Sequence, residues 1–259
     1  MAKNKLQKFE EMDQFPHVIQ ADFDEVFKSD YRLKGKWKEK FFDNENPLVL
    51  ELGCGKGEYC VGLARKFPNK NFIGIDIKGS RMHNGASQSF NEGLKNVAFI
   101  RTRIELIESF FNADEVSEIW LTFPDPQMKR TKKRLTSTRF LAMYLKFLKP
   151  GGVIHLKTDS RFLYTYTSHL VTENNFTVLQ NFEDLYNSDF KDEILKIRTY
   201  YEERFMAHQI PIKYLSFIPN YTKSLVEPLA EIELDNYHNS GRNVQLIKTK
   251  SGGEQDFRK

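Results

Sequence analysis

The chain is poor in cysteine and tryptophan, and it has no long apolar run. Cys54 and Cys60 are its two cysteines, and neither belongs to a zinc-type Cys/His spacing. That excludes a disulfide scaffold and argues against structural zinc. No stretch approaches the ~18 consecutive apolar residues of a membrane span, and the acid-containing N-terminus lacks a secretory apolar region. A soluble, reducing, cytoplasmic setting without a membrane is the expectation. An excess of one charge is also missing: 39 Lys+Arg stand against 35 Asp+Glu, a net of +4. Any argument for a polyanionic partner must therefore rest on where the cations sit. What is abundant is aromatic side chains, with 22 Phe and 11 Tyr in 259 residues. That is core material for one large domain or two small ones.

Residues 1–46 hold nine Lys/Arg and ten Asp/Glu with scattered apolar positions. They read as an N-terminal arm, partly helical or flexible. From Pro47 the pattern changes to short apolar runs: Leu48–Leu52, Asn71–Ile77, Val97–Arg101, Glu118–Phe123, Val153–Thr158, Phe176–Gln180 and Pro211–Ile218. Amphipathic segments fall near 58–67, 79–93, 136–148, 160–174 and 199–209, with stops at Pro68, Gly93 and Pro150-Gly151-Gly152. Strands alternating with helices of ~10–15 residues predict an α/β domain over 47–218, a doubly wound and mostly parallel sheet. Residues 219–259 read as a polar C-terminal extension, extended or partly disordered, with little functional signal.

The first strand ends in Glu51-Leu52-Gly53-Cys54-Gly55-Lys56-Gly57-Glu58. Three glycines at two-residue spacing between strand and helix let a ligand approach the backbone. Asp76, closing the second strand, can accept from both hydroxyls of a ribose. A pyrophosphate-binding turn follows G-x-G-x-x-G. Here the spacing is G-x-G-x-G, bracketed by Glu51 and Glu58, which suits a cationic ligand with an ammonium and a sulfonium. S-adenosylmethionine is such a ligand, and a nicotinamide nucleotide is the weaker alternative.

The fourth strand runs into Phe123-Pro124-Asp125-Pro126, where two prolines restrict the backbone around one carboxylate. Residues 127–139 then carry Lys129, Arg130, Lys132, Lys133, Arg134 and Arg139 without an acid. Such a run is commonly a solvated face. Beside a nucleoside site it points instead to RNA, with a log–log salt slope of roughly −4 to −5 for six phosphate contacts.

These residues, together with Gly74-Ile75-Asp76-Ile77-Lys78, Lys132-Lys133-Arg134-Leu135, Thr158-Asp159 and Thr199-Tyr200-Tyr201-Glu202, resemble the bacterial tRNA (guanine-7-)-methyltransferases over about 47–218. The resemblance implies a Rossmann-like class I methyltransferase with a seven-stranded sheet and helices on both faces. It implies methylation of the 7-nitrogen of guanine 46 in the tRNA variable loop, S-adenosylmethionine becoming S-adenosylhomocysteine. It places Glu51, Gly53, Gly55, Gly57, Asp76 and Asp125 at the cofactor, with Asp125 also catalytic. Lys129, Asp159, Thr199, Tyr200, Tyr201 and Glu202 fall on substrate-binding positions, while the charge run itself assigns Arg130, Lys132, Lys133 and Arg134 to the RNA backbone. Two departures stand out. The loop reads Gln127-Met128-Lys129 where the family often has Trp-x-Lys. The family's acid toward the adenine is replaced by Thr102-Arg103-Ile104-Glu105, which leaves Glu105 or a backbone group to read the base.

The 7-nitrogen carries a lone pair at neutral pH, so the reaction asks for alignment and carboxylates near developing positive charge rather than a strong base. No metal is expected, and a monomer or a homodimer would serve. His155, inside an apolar strand, reads as a core or cleft residue. Two other readings are compatible with these motifs: a methyltransferase of another RNA or of protein, and a non-catalytic RNA-binding subunit of the same fold.

Overall fold

The computed structural model describes residues 5–189, 192–220 and 224–235, with the strands Tyr237–Asn239 and Val244–Leu246. Its sheet strands are β1 (Val18–Ile19), β2 (Leu48–Leu52), β3 (Asn71–Asp76), β4 (Val97–Arg101), β5 (Val116–Thr122), β6 (Leu148–Thr158), β7 (Thr177–Phe182) and β8 (Lys213–Ile218). Helices are α1 (Lys5–Asp13), α2 (Phe23–Val26), α3 (Glu58–Lys66), α4 (Gly79–Asn91), α5 (Thr138–Tyr144), α6 (Arg161–Glu173) and α7 (Tyr200–Ala207). The sheet order is β1-β4-β3-β2-β5-β6-β8-β7. Strands β1 to β6 pair in parallel, while β8 lies antiparallel between β6 and β7.

The near-continuous apolar strands are buried on both faces, as crossover helices require. Alternation along β2 sends Leu48, Leu50 and Leu52 to the face covered by α5 and α6. Val49 joins the opposite face, against α3, α4 and Phe205 of α7. Glu51 shares the side of Val49 by the same two-residue period, so the strand geometry itself buries its carboxyl group.

Three expectations need correction. The sheet has eight strands, because His17–Ile19 of the N-terminal arm pairs beside β4 and turns an edge inward. The arm is further held by Trp37, fully buried, whose indole N–H donates to the Phe110 carbonyl at 2.8 Å. Second, Pro150-Gly151-Gly152 does not stop the preceding element. Strand β6 runs through these residues with an irregularity in its pairing to β5, and α5 ends earlier, at Tyr144. Third, residues 224–235 are not a loose extension. Leu225 and Ile232 pack on the core, and Glu227 and Asp235 accept hydrogen bonds from α5 and α6. Residues 247–259, read as part of that extension, lie outside the described residues. Among the described residues, no helix is long and apolar enough to cross a membrane.

Candidate active site

Strand β2 leads to β3 and β4 on one side, and the chain then returns to β5 on the other side of β2. Loops leaving the carboxyl ends of two such strands diverge and open a crevice. A cavity of about 290 Å³ lies there, lined by Gly53, Asp76, Arg103, Glu105, Asp125 and Lys133 among others. The acid from β3, the first glycine after β2 and the acid after β5 therefore meet in one place.

The three glycines of the turn act differently. All have positive φ, between 55° and 78°. A Cβ on Gly53 or Gly55 would meet no other protein atom closer than 3.9 Å, so these two keep the backbone bare toward open space. A Cβ on Gly57 would stand 2.7 Å from the Phe99 ring and 3.2 Å from Gly85 Cα, so this glycine seats α3 against α4. Asp76 is oriented by the same turn. Its two oxygens accept from Gly55 N–H at 2.9 Å and Lys78 N–H at 2.7 Å. A bare backbone cradle beside an oriented carboxylate fits a nucleoside with a free ribose.

Glu51 does not line that cavity. It sits beneath the turn, accepting from the Cys60 N–H at 2.9 Å and from the Thr122 hydroxyl. Burial pushes its carboxyl group up to about 8. Its carboxyl group thus lies beneath the turn rather than at the cavity wall, where burial favours the protonated form. Glu58, half-buried, accepts from the Tyr200 N–H at 2.9 Å and ties α7 to the turn.

Across the crevice, Asp125 is exposed and its Oδ1 accepts from Gln127 N–H at 3.0 Å. Phe123 and Gln127, two residues to either side, both have positive φ (50° and 46°). Left-handed backbone at non-glycine residues costs about 1–2 kcal/mol each and persists where surroundings enforce it. Lys129, Arg130, Lys132 and Lys133 point to solvent, and Lys133 also lines the cavity. The cationic strip therefore begins at the site.

Arg134 does not belong to that strip, which corrects its reading as an RNA-backbone contact. Only 2% of its surface is exposed. Its guanidinium donates to the carbonyls of Pro126, Gln127 and Met128 at 3.1, 3.1 and 3.3 Å. It also lies 3.9 Å from the Tyr166 ring centre and 4.7 Å from that of Phe162. A planar fork with donors on several edges can hold a run of carbonyls as a lysine cannot.

The substrate-side residues divide likewise. Asp159 is buried and lines a second cavity of about 590 Å³ with Arg161, Lys213 and residues 233–235. Thr199 and Glu202 form the N-terminal capping box of α7, and Glu202 is fully buried against Lys157 at 2.7 Å. In this structure both side chains are occupied in building the helix start. Tyr200, just inside it, is exposed, with Lys56 Nζ 3.5 Å from its ring centre. Tyr201 lies partly buried near Arg81. His155 is stacked on Trp120 at 3.9 Å and bonded to the Tyr214 hydroxyl at 2.8 Å, and burial pushes its imidazole down to about 3. It is a core residue.

Sequence reasoning missed Lys157, Glu227 and Asp235. For Lys157 a signal existed, a lysine inside an apolar strand. For the two acids none did, because they follow the last strand in a polar stretch.

A doubly wound sheet with a bare glycine turn and two acids at its switch point is the class I methyltransferase architecture. A solved 16S rRNA methyltransferase, KamB, has the same fold, with a TM-score of 0.55 and 15% identity over 70% of this chain and 92% of that one. Residues 45–215 match the family model described as "Putative methyltransferase". A tRNA (guanine-N(7)-)-methyltransferase of Bacteroides thetaiotaomicron is 55% identical over 242 residues, 93% of this chain and 96% of the relative. One of Porphyromonas gingivalis is 53% identical, over 91% of this chain and 99% of the relative. The chain belongs to the tRNA (guanine-N(7)-)-methyltransferase family.

Proposed function

We propose that the protein methylates the 7-nitrogen of guanine 46 in the variable loop of tRNA. The observation that carries this reading is the meeting of Gly53, Asp76, Asp125 and Lys133 around one cavity from which exposed cations lead away. S-adenosylmethionine, when bound, supplies an electrophilic methyl on a sulfonium and leaves as S-adenosylhomocysteine. Gly53 and Gly55 keep the backbone clear for it, and Asp76 offers its remaining lone pairs to the ribose hydroxyls. Glu51 and Gly57 hold the turn from below. Either Glu105 or a backbone group between Thr102 and Glu105 reads the adenine, since these residues line the same wall.

Asp125 is the catalytic carboxylate. Guanine's 7-nitrogen needs no deprotonation, so attack requires alignment and stabilisation of the charge that moves onto the purine. A carboxylate held between two prolines, its Oδ1 tied to the Gln127 amide, supplies both. Asp159 orients the base edge, and Tyr200 and Tyr201 flank the incoming RNA. Lys129, Arg130, Lys132 and Lys133 grip its phosphates. The protein acts in the cytoplasm, as a monomer or a homodimer.

The test is transfer of labelled methyl to unmodified tRNA, with borohydride–aniline cleavage to locate the modified purine. Asp125→Ala should lower the rate about 10²–10³-fold while tRNA binding survives. Turnover close to wild type would remove Asp125 from the chemistry, and label at another atom would overturn the assigned reaction.

A further inference from the structure

The family model covers residues 45–215, and residues 224–235, beyond it, turn back over the side of the site that holds Asp159. At one end Val226 exchanges two hydrogen bonds with the side chain of Asn174, at 2.7 and 2.8 Å. Glu227 then accepts from the Thr138 hydroxyl at 2.7 Å with one oxygen and from the Tyr166 hydroxyl with the other. The Tyr166 ring is the surface on which the Arg134 guanidinium rests. Arg134 in turn holds the three carbonyls that follow Asp125. At the far end Asp235 accepts from the Ser160 hydroxyl and from Phe162 N–H at 2.9 Å. Its own N–H donates to Met128 Sδ at 3.3 Å.

Both ends of the segment thus converge on Pro126–Met128, one through the backbone carbonyls held by Arg134 and the other through the Met128 sulfur. That stretch directly follows Asp125 and includes one of the two strained residues flanking it. A buried arginine, three carbonyls, a ring and a carboxylate form one connected set. Removing one member loosens the rest, because buried polar networks are held jointly.

We propose that residues 224–235 are a strap that positions the methyl-transfer loop, with Glu227 and Asp235 as positioning residues acting through Tyr166, Arg134 and Met128. This rests on the reading of Asp125 as the catalytic carboxylate. The strap touches the loop from behind, so its loss changes how Asp125 is aimed rather than how the cofactor is held. Misplacement of a reacting group by about 1 Å can cost on the order of 100-fold in rate.

The experiment compares Glu227→Ala, Glu227→Gln, Asp235→Asn and Arg134→Lys with wild type in the full chain. Single-turnover methyl transfer to unmodified tRNA, S-adenosylmethionine affinity and amide hydrogen exchange of residues 123–134 in the free protein are measured. Glu227→Ala and Arg134→Lys should slow transfer about tenfold or more, leave cofactor affinity within about twofold, and speed exchange at 127–134. Glu227→Gln keeps one acceptor oxygen for one hydroxyl and offers an amide N–H that the other hydroxyl can accept by rotating, so it should recover most of the rate. Asp235→Asn is the milder variant that keeps the test decisive should Glu227→Ala fail to fold. Its faster exchange should be confined to Met128 and its neighbours.

The proposal is overturned if folded Glu227→Ala transfers methyl at the wild-type rate. It is equally overturned if exchange changes only in α5 and α6, or if Glu227→Gln is as slow as the alanine variant. Should wild type itself transfer no methyl to tRNA, the functional reading fails while the exchange measurement still decides whether the strap orders the loop.

Discussion

The two halves of the crevice are built by different means. The cofactor half, from β2 and β3, is a backbone structure: glycines at positive φ and amide groups that aim Asp76. The substrate half, from β5, β6 and α7, consists of loops pinned by buried cations. Arg134 holds the proline loop, and Lys157 holds the chain before α7 by donating to the carbonyls of Leu195 and Ile197, each at 3.0 Å. Lys213 likewise donates to the Asp159 and Pro211 carbonyls at 3.0 and 2.9 Å. A backbone cradle accepts few residue types and is rigid by construction. Loops tied by long side chains can be lengthened, shortened and retargeted while the sheet stays the same.

The largest effect should come from cutting one of those ties. Lys157 and Glu202 are fully buried partners 2.7 Å apart, and Glu202 also completes the cap of α7. Lys157→Met leaves a buried carboxylate without its cation and the Leu195 and Ile197 carbonyls without the ammonium that joins them, a loss of about 3–5 kcal/mol. Denaturant unfolding measures it. Adding Glu202→Gln removes the stranded charge but keeps the cap, so the double variant should recover part of the loss. A single variant as stable as wild type would mean that the substrate half stands without its internal cation.

The same contrast explains what could be read from the chain. The glycine turn and Asp76 were legible because positive φ and close approach leave few alternatives, and their spacing is fixed by one turn of chain. The alternating strands were legible for a similar reason, since burial on both faces writes continuous apolar runs. The inward side of the basic loop was not. Lys133 and Arg134 are neighbours of like charge, one solvated at the cavity rim and one 2% exposed among carbonyls and rings. Sequence records charge, but direction is set by the tertiary contacts of Tyr166 and Phe162. The role of Glu51 was half legible. Its position near the end of an apolar strand was plain, whereas its raised pKa follows from desolvation that the packed structure around it supplies.

Glu51 offers the next test, on the cofactor half. Its folded pKa of about 8 stands above the ordinary 4.5. A raised value means that the group's contribution to stability is fully present below pH 4.5 and is lost as pH rises through 8. Glu51→Gln has no such titration and keeps an acceptor for Cys60 N–H. The variant should match wild type near pH 4.5 and exceed it by on the order of 3 kcal/mol at pH 7. Unfolding free energies across that range give the difference curve. A flat curve would show that Glu51 is ionised when folded, and the cofactor half would then contain a buried charge after all.

The smallest effect on stability, and the sharpest on binding, belongs to the outward cations. Lys129, Lys132 and Lys133 are exposed, so replacing all three by Gln should change unfolding free energy by no more than about 0.5 kcal/mol. If each meets one phosphate, the log–log salt slope of tRNA binding should fall by about 2–3. Arg134→Gln should do the reverse. It removes a buried fork from three carbonyls and leaves the strip unchanged, so methyl transfer slows while the salt slope stays near that of wild type. The two variants differ at adjacent positions of one short loop, which makes the pair a direct test of whether orientation separates gripping RNA from aiming the carboxylate. A slope that flattens equally in both would place Arg134 on the RNA in the bound state, and the inward reading of its side chain would then hold only for the free protein.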